Sequence, residues 1–238
     1  MRKPPTGQEV RSWYNKKYAS EGVRNKRPYE AYTVFLDYLG SQRGRRLLDV
    51  ACGIGLLLCA ASKRGLETFG IDISEEAVRL AKGISPDSVI SVGEAEDIRF
   101  GDNTFDYVTC LGSLEHFLDM DKGLFEMKRV AKNNALFCIM VPNSNFIFWK
   151  LFAKYGTEQQ DINENLLSLE QWKGAFIRNG FEIIDIHRDK WYMKFQQTNF
   201  PGIAKRMVCR ILWMFIPLRY DYQFAFILKK TDKNNSQK

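Results

Sequence analysis

Two glycines and two aspartates in the first third of the chain could together hold a small ligand. Asp49 ends a short apolar run, Gly53 and Gly55 follow it, and Asp72 lies 17 residues beyond Gly55, near the end of a second apolar run. Glycines in a strand-to-helix turn let backbone N–H groups approach a ligand closely, and a carboxylate after the next strand can bind both hydroxyls of a ribose. A glycine turn alone is weak evidence. Together with the acid and its strand, it predicts a nucleoside site.

The charge at the glycine turn indicates which nucleoside would bind. Asp49 would repel the pyrophosphate of a dinucleotide, whereas S-adenosylmethionine has no phosphate and carries an ammonium and a sulfonium that a carboxylate attracts. The third glycine of the G-x-G-x-x-G fingerprint is also absent, and Leu58 takes its place. These residues favour S-adenosylmethionine over NAD. A nicotinamide-dependent oxidoreductase and a non-catalytic S-adenosylmethionine-binding protein are the alternatives.

A parallel sheet would bring the glycine turn and Asp72 to one edge. Apolar runs separated by helical stretches predict an α/β fold, a doubly wound Rossmann-like sheet of seven strands with helices on both faces. The sheet is expected to be mostly parallel with an antiparallel last strand, and ligands bind such sheets at the carboxyl ends of the strands. Ser74 and Ser168 are predicted to begin helices. The predicted strands are residues 45–51, 68–73, 88–92, 105–111, 135–141, 181–186 and 222–228.

Four ordered segments carry a family resemblance. They are residues 48–55 (LDVACGIG), 70–74 (GIDIS), 93–100 (GEAEDIRF) and 102–106 (DNTFD). In order and spacing they resemble the motifs of class I S-adenosylmethionine-dependent methyltransferases, particularly the type 11 family, and the resemblance covers residues 45–141. The family more often has glycine where this chain has Ala51, a departure expected only to push the ligand slightly outward.

The resemblance implies roles for individual residues. Asp49 with the backbone of Ala51, Gly53 and Gly55 would hold the methionine part of the donor. The remaining donor contacts are Asp72 on the ribose, Ile73 on the adenine face, and Glu94 with Ala95 on the adenine edge. Reasoning from the residues agrees for Glu94, because a carboxylate after the third strand can accept from an adenine amino group. An exposed loop glutamate without a ligand is the alternative there.

The end of the fourth strand faces the glycine turn across the sheet. Leu111 is placed in the donor site, and His116 five residues later is the best candidate for a general base. Imidazole can take a hydroxyl or amine proton at neutral pH, which a methyl transfer needs only if the nucleophile is protonated. The alternative is that His116 fixes its loop through Glu115 or a backbone group. His187 is interpreted as structural.

The segments outside the nucleotide-binding half are expected to choose the acceptor. We divide the chain into an N-terminal helical lid over residues 1–40, a methyltransferase domain over 41–230 and a polar tail over 231–238, with insertions at 143–165 and 190–220. Trp13, Tyr14 and Tyr18 could cover the donor from the lid, with core packing as the equal alternative. The expected acceptor is a small molecule with a hydroxyl, such as a sugar, a lipid-linked compound or another metabolite.

Residues 201–216 form an amphipathic pattern with an apolar arc and two arginines, Arg206 and Arg210, opposite it. This pattern is typical of a core-facing helix, and also of a lid over an apolar acceptor or a helix in peripheral contact with an anionic membrane. The basic residues are spread rather than interleaved with an aromatic stacking platform, so nucleic acid is not expected as a partner.

Composition excludes several other classes of protein. The chain has 238 residues, 45% hydrophobic and 26% charged, with a formal net charge of +7, values typical of a globular domain. Its five cysteines form no C-x-x-C pair, so neither a disulfide framework nor a zinc site is expected, and no metal is predicted. With no apolar signal segment and no run long enough to span a bilayer, a cytoplasmic location is expected.

Overall fold

A computed structural model describes residues 4–23, 27–146, 162–189 and 217–231 of the chain. The α-helices in these ranges are α1 (Gly7–Glu21), α2 (Thr33–Tyr38), α3 (Leu56–Lys63), α4 (Glu75–Ile84), α5 (Met120–Val130) and α6 (Leu169–Arg178). The strands are β1 (Arg46–Val50), β2 (Glu67–Asp72), β3 (Val89–Val92), β4 (Phe105–Leu111), β5 (Ala131–Pro142), β6 (Phe181–Arg188) and β7 (Gln223–Lys230).

The strands form one seven-stranded sheet in the order β3-β2-β1-β4-β5-β7-β6. The first five strands in this order, β3-β2-β1-β4-β5, pair in parallel, whereas β7 is antiparallel to both of its neighbours, β5 and β6. The predicted fold class is thereby confirmed, including the antiparallel last strand. The chain runs outward from β1 in both directions, so the carboxyl ends of β1 and β4 form the switch point where such sheets bind ligands.

Local sequence signals set the element boundaries to within a few residues. Ser74 caps α4 by accepting a hydrogen bond from the backbone N–H of Ala77 at 3.1 Å, and Ser168 begins α6 with a capping box. The fourth strand has the predicted bounds. The largest difference is β5, which begins at Ala131 rather than residue 135, because Ala131 already pairs with Phe105 across an irregularity in the ladder.

Both faces of the sheet are apolar because helices cover each of them. Successive residues of a strand point to opposite faces, and Leu47 and Leu48 accordingly belong to two different buried clusters. On one face Trp172 of α6 is fully buried and donates its ring N–H to the carbonyl of Pro142 at 2.8 Å. The continuous apolar strands of the sequence therefore reflect burial on both sides.

Leu58 occupies the position of the third fingerprint glycine, and β2 accommodates it. A Cβ added to Gly70 would lie 2.6 Å from a Leu58 methyl carbon and 3.0 Å from the Cys52 sulfur, closer than real contacts allow. The missing side chain on β2 thus provides the close helix-to-strand packing that a glycine on the helix provides elsewhere.

Several predicted segments lie outside the described residues. They are the amphipathic helix at 201–216, most of the insertions at 143–165 and 190–220, and the tail beyond residue 231. Among the residues that the structure does describe, no helix is both long and apolar enough to cross a membrane.

Candidate donor-binding site

A cavity of about 450 Å³ opens at the carboxyl ends of β1, β2 and β4. Nine of the ten predicted site residues line it, namely Asp49, Ala51, Gly53, Asp72, Ile73, Glu94, Ala95, Leu111 and His116. The exception is Gly55, which lies just before α3 and faces α4 instead, where an added Cβ would be 3.0 Å from the Ala81 Cβ. The structure therefore brings these nine residues together at one cavity.

Asp72 ties the glycine turn to the start of α4. It is 5% exposed at the end of β2, and its two carboxylate oxygens accept backbone N–H groups from Gly53 at 2.8 Å and Ser74 at 2.9 Å. Burial raises the pKa of the Asp72 carboxyl to about 6, although the two backbone hydrogen bonds oppose the shift. A buried carboxylate at this place can still accept ribose hydroxyls, because each oxygen has a second lone pair.

Asp49 lies deeper, at the end of β1. Its carboxyl accepts a hydrogen bond from the Thr109 hydroxyl at 2.6 Å, and burial raises its pKa to about 7. A ligand that brings positive charge to this carboxyl would favour the ionised form, whereas a phosphate would oppose it. The buried carboxyls of Asp49 and Asp72 therefore fit the ammonium, sulfonium and ribose of S-adenosylmethionine.

The glycine turn contains an alanine in a conformation that favours glycine. Ala51 has a φ of +56°, in the left-handed region where a Cβ crowds the following carbonyl oxygen at a cost of roughly 1–2 kcal/mol. This departure from the family pattern therefore affects the backbone, not only the position of the ligand as the sequence suggested.

Replacing Ala51 with glycine is expected to stabilise the protein. Relief of the left-handed strain, less the added freedom of glycine in the unfolded chain, should leave a gain of about 0.5–1 kcal/mol, or about 2 °C in Tm. The matched control is Ala19→Gly in α1, which has ordinary helical geometry and should lose about 0.5–1 kcal/mol. Thermal melts measure both changes. An Ala51→Gly variant that melts no higher than the wild type, or that loses as much stability as Ala19→Gly, would contradict the strain at Ala51.

The adenine end of the predicted site is more open. Glu94 is exposed and accepts a hydrogen bond from the guanidinium of Arg11 on α1 at 3.2 Å. Ile73 and the buried Ala95 line the cavity beside it. Glu94 thus lines the open end of the cavity, where it also joins α1 to the sheet edge.

Helix α1 lies over the cavity and is docked by polar contacts. Tyr14 and Tyr18 line the cavity, and burial raises the pKa of both hydroxyls. Asn15 accepts from the Ser74 hydroxyl at 2.6 Å and donates to the Glu75 carboxylate. Trp13 packs edge-on against Tyr14 outside the lining residues. Two of the three predicted aromatic residues therefore meet the cavity.

His116 is held in a single orientation by an irregular segment that follows residue 161. Its Nδ1 is 2.6 Å from the carbonyl oxygen of Asn163, and the Asn163 amide donates to the carbonyls of His116 and Phe117 at 3.1 and 2.9 Å. Because a carbonyl only accepts, Nδ1 carries a proton and Nε2 is the nitrogen that can take one. His116 therefore has both properties weighed from the sequence, a position on the cavity and a fixed loop.

Sequence reasoning missed the partners that orient these groups. Thr109 can donate its hydroxyl to Asp49 because β1 pairs with β4 and this pairing places the two residues side by side. Asn163 contacts His116 across 47 residues without any periodic signal. Within the described ranges, no group of three or more His, Cys, Asp or Glu side chains could hold a metal ion.

The sheet order and the cavity at its switch point define a Rossmann-like nucleoside-binding fold. A family model described as a methyltransferase domain matches residues 48–139. The chain is also 31% identical over 169 residues to demethylmenaquinone methyltransferase from Staphylococcus aureus. This match covers 60% of this chain and 70% of that protein. The chain therefore belongs to the type 11 family of class I S-adenosylmethionine-dependent methyltransferases, whose cofactor is S-adenosylmethionine.

Other comparisons cover less of the sequence or concern only the fold. Ajmaline N-methyltransferase from Rauvolfia serpentina is 38% identical over 106 residues, which is 42% of this chain, and the match spans only 36% of the length of that relative. Among solved structures, the [4+2]-cyclase SpnF superposes with a TM-score of 0.69 at 19% identity, covering 97% of this chain and 98% of the cyclase. That likeness concerns the fold alone.

Proposed function

We propose that the protein transfers a methyl group from S-adenosylmethionine to a hydroxyl of a small molecule. The observation that carries this proposal is a cavity lined by two buried carboxyls and by a histidine whose Nε2 can accept a proton. Bound S-adenosylmethionine supplies an electrophilic methyl carbon on a positively charged sulfur. The protein's own contribution is to bind, align and deprotonate.

The cavity residues divide into donor and acceptor roles. Asp49 would hold the ammonium end of the donor, Asp72 the ribose, and the backbone of Ala51 and Gly53 would approach the methionine part. Ile73, Glu94, Ala95 and Leu111 would enclose the adenine and the base of the cavity. Gly55 would act through the shape of the turn, since it packs on α4.

His116 supports a hydroxyl as the acceptor. A hydroxyl keeps its proton until the transfer, so a base beside it increases the rate, whereas a neutral amine can attack with its lone pair unaided. A ring whose Nδ1 is anchored on a carbonyl presents one fixed nitrogen for this task. Amines remain the competing acceptor class, and product analysis separates the two.

We also propose residues 1–40 as a lid and residues 41–230 as the methyltransferase domain. The aromatic residues Tyr14 and Tyr18 over the cavity support the lid, and so do the polar contacts of Asn15, because such contacts exchange readily with water.

Contact of residues 201–216 with an apolar or membrane-borne acceptor is proposed from sequence only. Nucleic acid is not part of the proposal.

The two alternatives have less support. Family membership and the buried Asp49 both argue against a nicotinamide-dependent oxidoreductase. A non-catalytic binding protein would use the same cavity, and a fold of this kind can host another reaction, as the name of the structurally similar cyclase indicates.

Two measurements on the purified chain test the proposed function. Calorimetry with S-adenosylhomocysteine and with NADH should show binding of the first only. Incubation of methyl-labelled donor with fractionated small-molecule extracts should then label a product whose new bond is methyl to oxygen. A labelled amine would replace the hydroxyl by the amine class, and binding without any labelled product would favour the non-catalytic alternative.

Asp72→Ala is expected to weaken S-adenosylhomocysteine binding by roughly 10- to 150-fold, which corresponds to about 1.5–3 kcal/mol. The variant loses the ribose acceptor and the two backbone hydrogen bonds that tie the glycine turn to the start of α4. For the wild type, affinity should also fall as the pH is lowered through about 7 and then about 6, where the carboxyls of Asp49 and Asp72 in turn take up a proton.

The control for Asp72 is Asp37→Ala, which removes an exposed carboxylate paired with Arg64 on the surface. Calorimetric Kd values should be unchanged for Asp37→Ala. An unchanged Kd for Asp72→Ala would remove Asp72 from the donor site.

A further inference from the structure

Glu115 is a buried carboxyl to which the proposed chemistry assigns no task. Its side chain is 3% exposed, and its Oε2 has no hydrogen-bond partner among the described residues. Burial raises the pKa of the Glu115 carboxyl to about 8. A buried carboxyl with an unsatisfied oxygen costs stability, so its position beside the cavity calls for an explanation in function.

The partner of this carboxyl is the next residue in the chain. Glu115 Oε1 lies 3.6 Å from Nε2 of His116, within ion-pair range but longer than a hydrogen bond. Nε2 is the nitrogen that can accept a proton, because Nδ1 donates to the Asn163 carbonyl. The carboxyl is therefore directed at the atom that becomes positively charged when the ring is protonated.

We propose that Glu115 is a positioning residue for His116, whose carboxylate stabilises the imidazolium formed when Nε2 takes the acceptor's proton. The inference rests on the methyl transfer proposed above. There the hydroxyl proton moves to Nε2, the oxygen–carbon bond forms, and the pair of the carbon–sulfur bond stays on sulfur. The protonated ring then faces a carboxylate, so the buried pair is neutral overall.

Other titratable groups also face Glu115 from the elements packed around it. Glu164 approaches from the segment after residue 161 and raises the pKa of Glu115 further by repulsion. Tyr14 from α1 and Cys110 from β4 are uncharged at neutral pH, because burial raises the pKa of both groups. Glu115 and His116 therefore titrate as a coupled pair, and the ring gains basicity as Glu115 ionises.

The chain offers a direct test because it has two histidines, His116 and His187. NMR titration of the imidazole signals in the full-length protein, without any ligand, reports the protonation of each ring, and His116→Asn assigns the signals. Glu115→Gln should move the titration midpoint of His116 to lower pH by about one unit or more. The midpoint of His187 should not move.

A matched variant and a stability measurement complete the test. Glu67→Gln changes an exposed glutamate on β2 and should leave both midpoints unchanged. Because the folded-state pKa of Glu115 is raised, the folded protein holds a proton that the unfolded chain releases, and stability decreases as the pH rises towards 8. Glu115→Gln should therefore melt at the wild-type temperature or above at pH 8.

A His116 midpoint that moves by less than about 0.3 unit in Glu115→Gln would overturn the proposal. If that variant does not fold, Glu115→Asp retains a carboxylate at a greater distance and should give a smaller shift in the same direction, and no shift would again overturn it. Wild-type protein that binds donor but labels no acceptor would refute the proposed methyl transfer. The titration would still report on the pair.

Discussion

Gly53→Val is expected to weaken S-adenosylhomocysteine binding by more than about 100-fold, a loss of roughly 2.7 kcal/mol or more. Gly53 lines the cavity with a φ of +54°, and a Cβ placed on it would lie 3.0 Å from the Tyr18 hydroxyl. A branched side chain would therefore extend into the space between the glycine turn and α1. It would also be strained, because residues with a side chain rarely adopt this left-handed backbone conformation.

Strain and obstruction can be separated with a second glycine. Gly40 has a φ of +56°, and nothing lies within 4 Å of a Cβ built on it. Gly40→Val should destabilise the fold by an amount similar to Gly53→Val, yet bind the donor product with wild-type affinity. Melting curves and calorimetry on both variants give the comparison. Equal Kd values for the two variants would show that Gly53 does not contact the donor.

The parts of the site that follow from strand ends were predictable from the sequence. Asp72 and Ser74 combine a strand end with a helix cap, two local signals within three residues. The cap on α4 is confirmed, and the structure adds a hydrogen bond from the Ser74 N–H to the Asp72 carboxylate. Asp49 and Leu111 reach the cavity because they end neighbouring parallel strands. Such placements depend on hydrophobic periodicity and on the order of strands and helices, and both can be read from the sequence.

Other features depend on contacts that leave no periodic mark. The carbonyl of Asn163 orients His116 from an irregular segment 47 residues away. Helix α1 docks through single polar pairs such as Asn15 with Ser74, and the one residue of this helix that is buried is Val10, at 5% exposure. Ala51 shows no sign of its left-handed backbone, because glycine is the residue that usually marks such a position. Tertiary contacts decide all three features.

The second large effect is expected at His116, where His116→Asn should lower turnover by roughly 10²-fold or more with donor affinity nearly unchanged. Asparagine is preferable to alanine because its amide can still donate to the Asn163 carbonyl and hold the loop. It cannot take a proton. A loss confined to turnover therefore reports on the base rather than on the position of the segment after residue 161.

The matched control for this experiment is the other histidine. His187 stacks on Tyr38 with ring centroids 3.7 Å apart and does not line the cavity. His187→Asn should keep wild-type turnover. Steady-state kinetics with the acceptor identified in the labelling experiment measure turnover, and calorimetry with S-adenosylhomocysteine measures donor-site affinity. A decrease of less than about threefold in His116→Asn would make His116 a loop anchor, and the acceptor would then have to lose its proton to water.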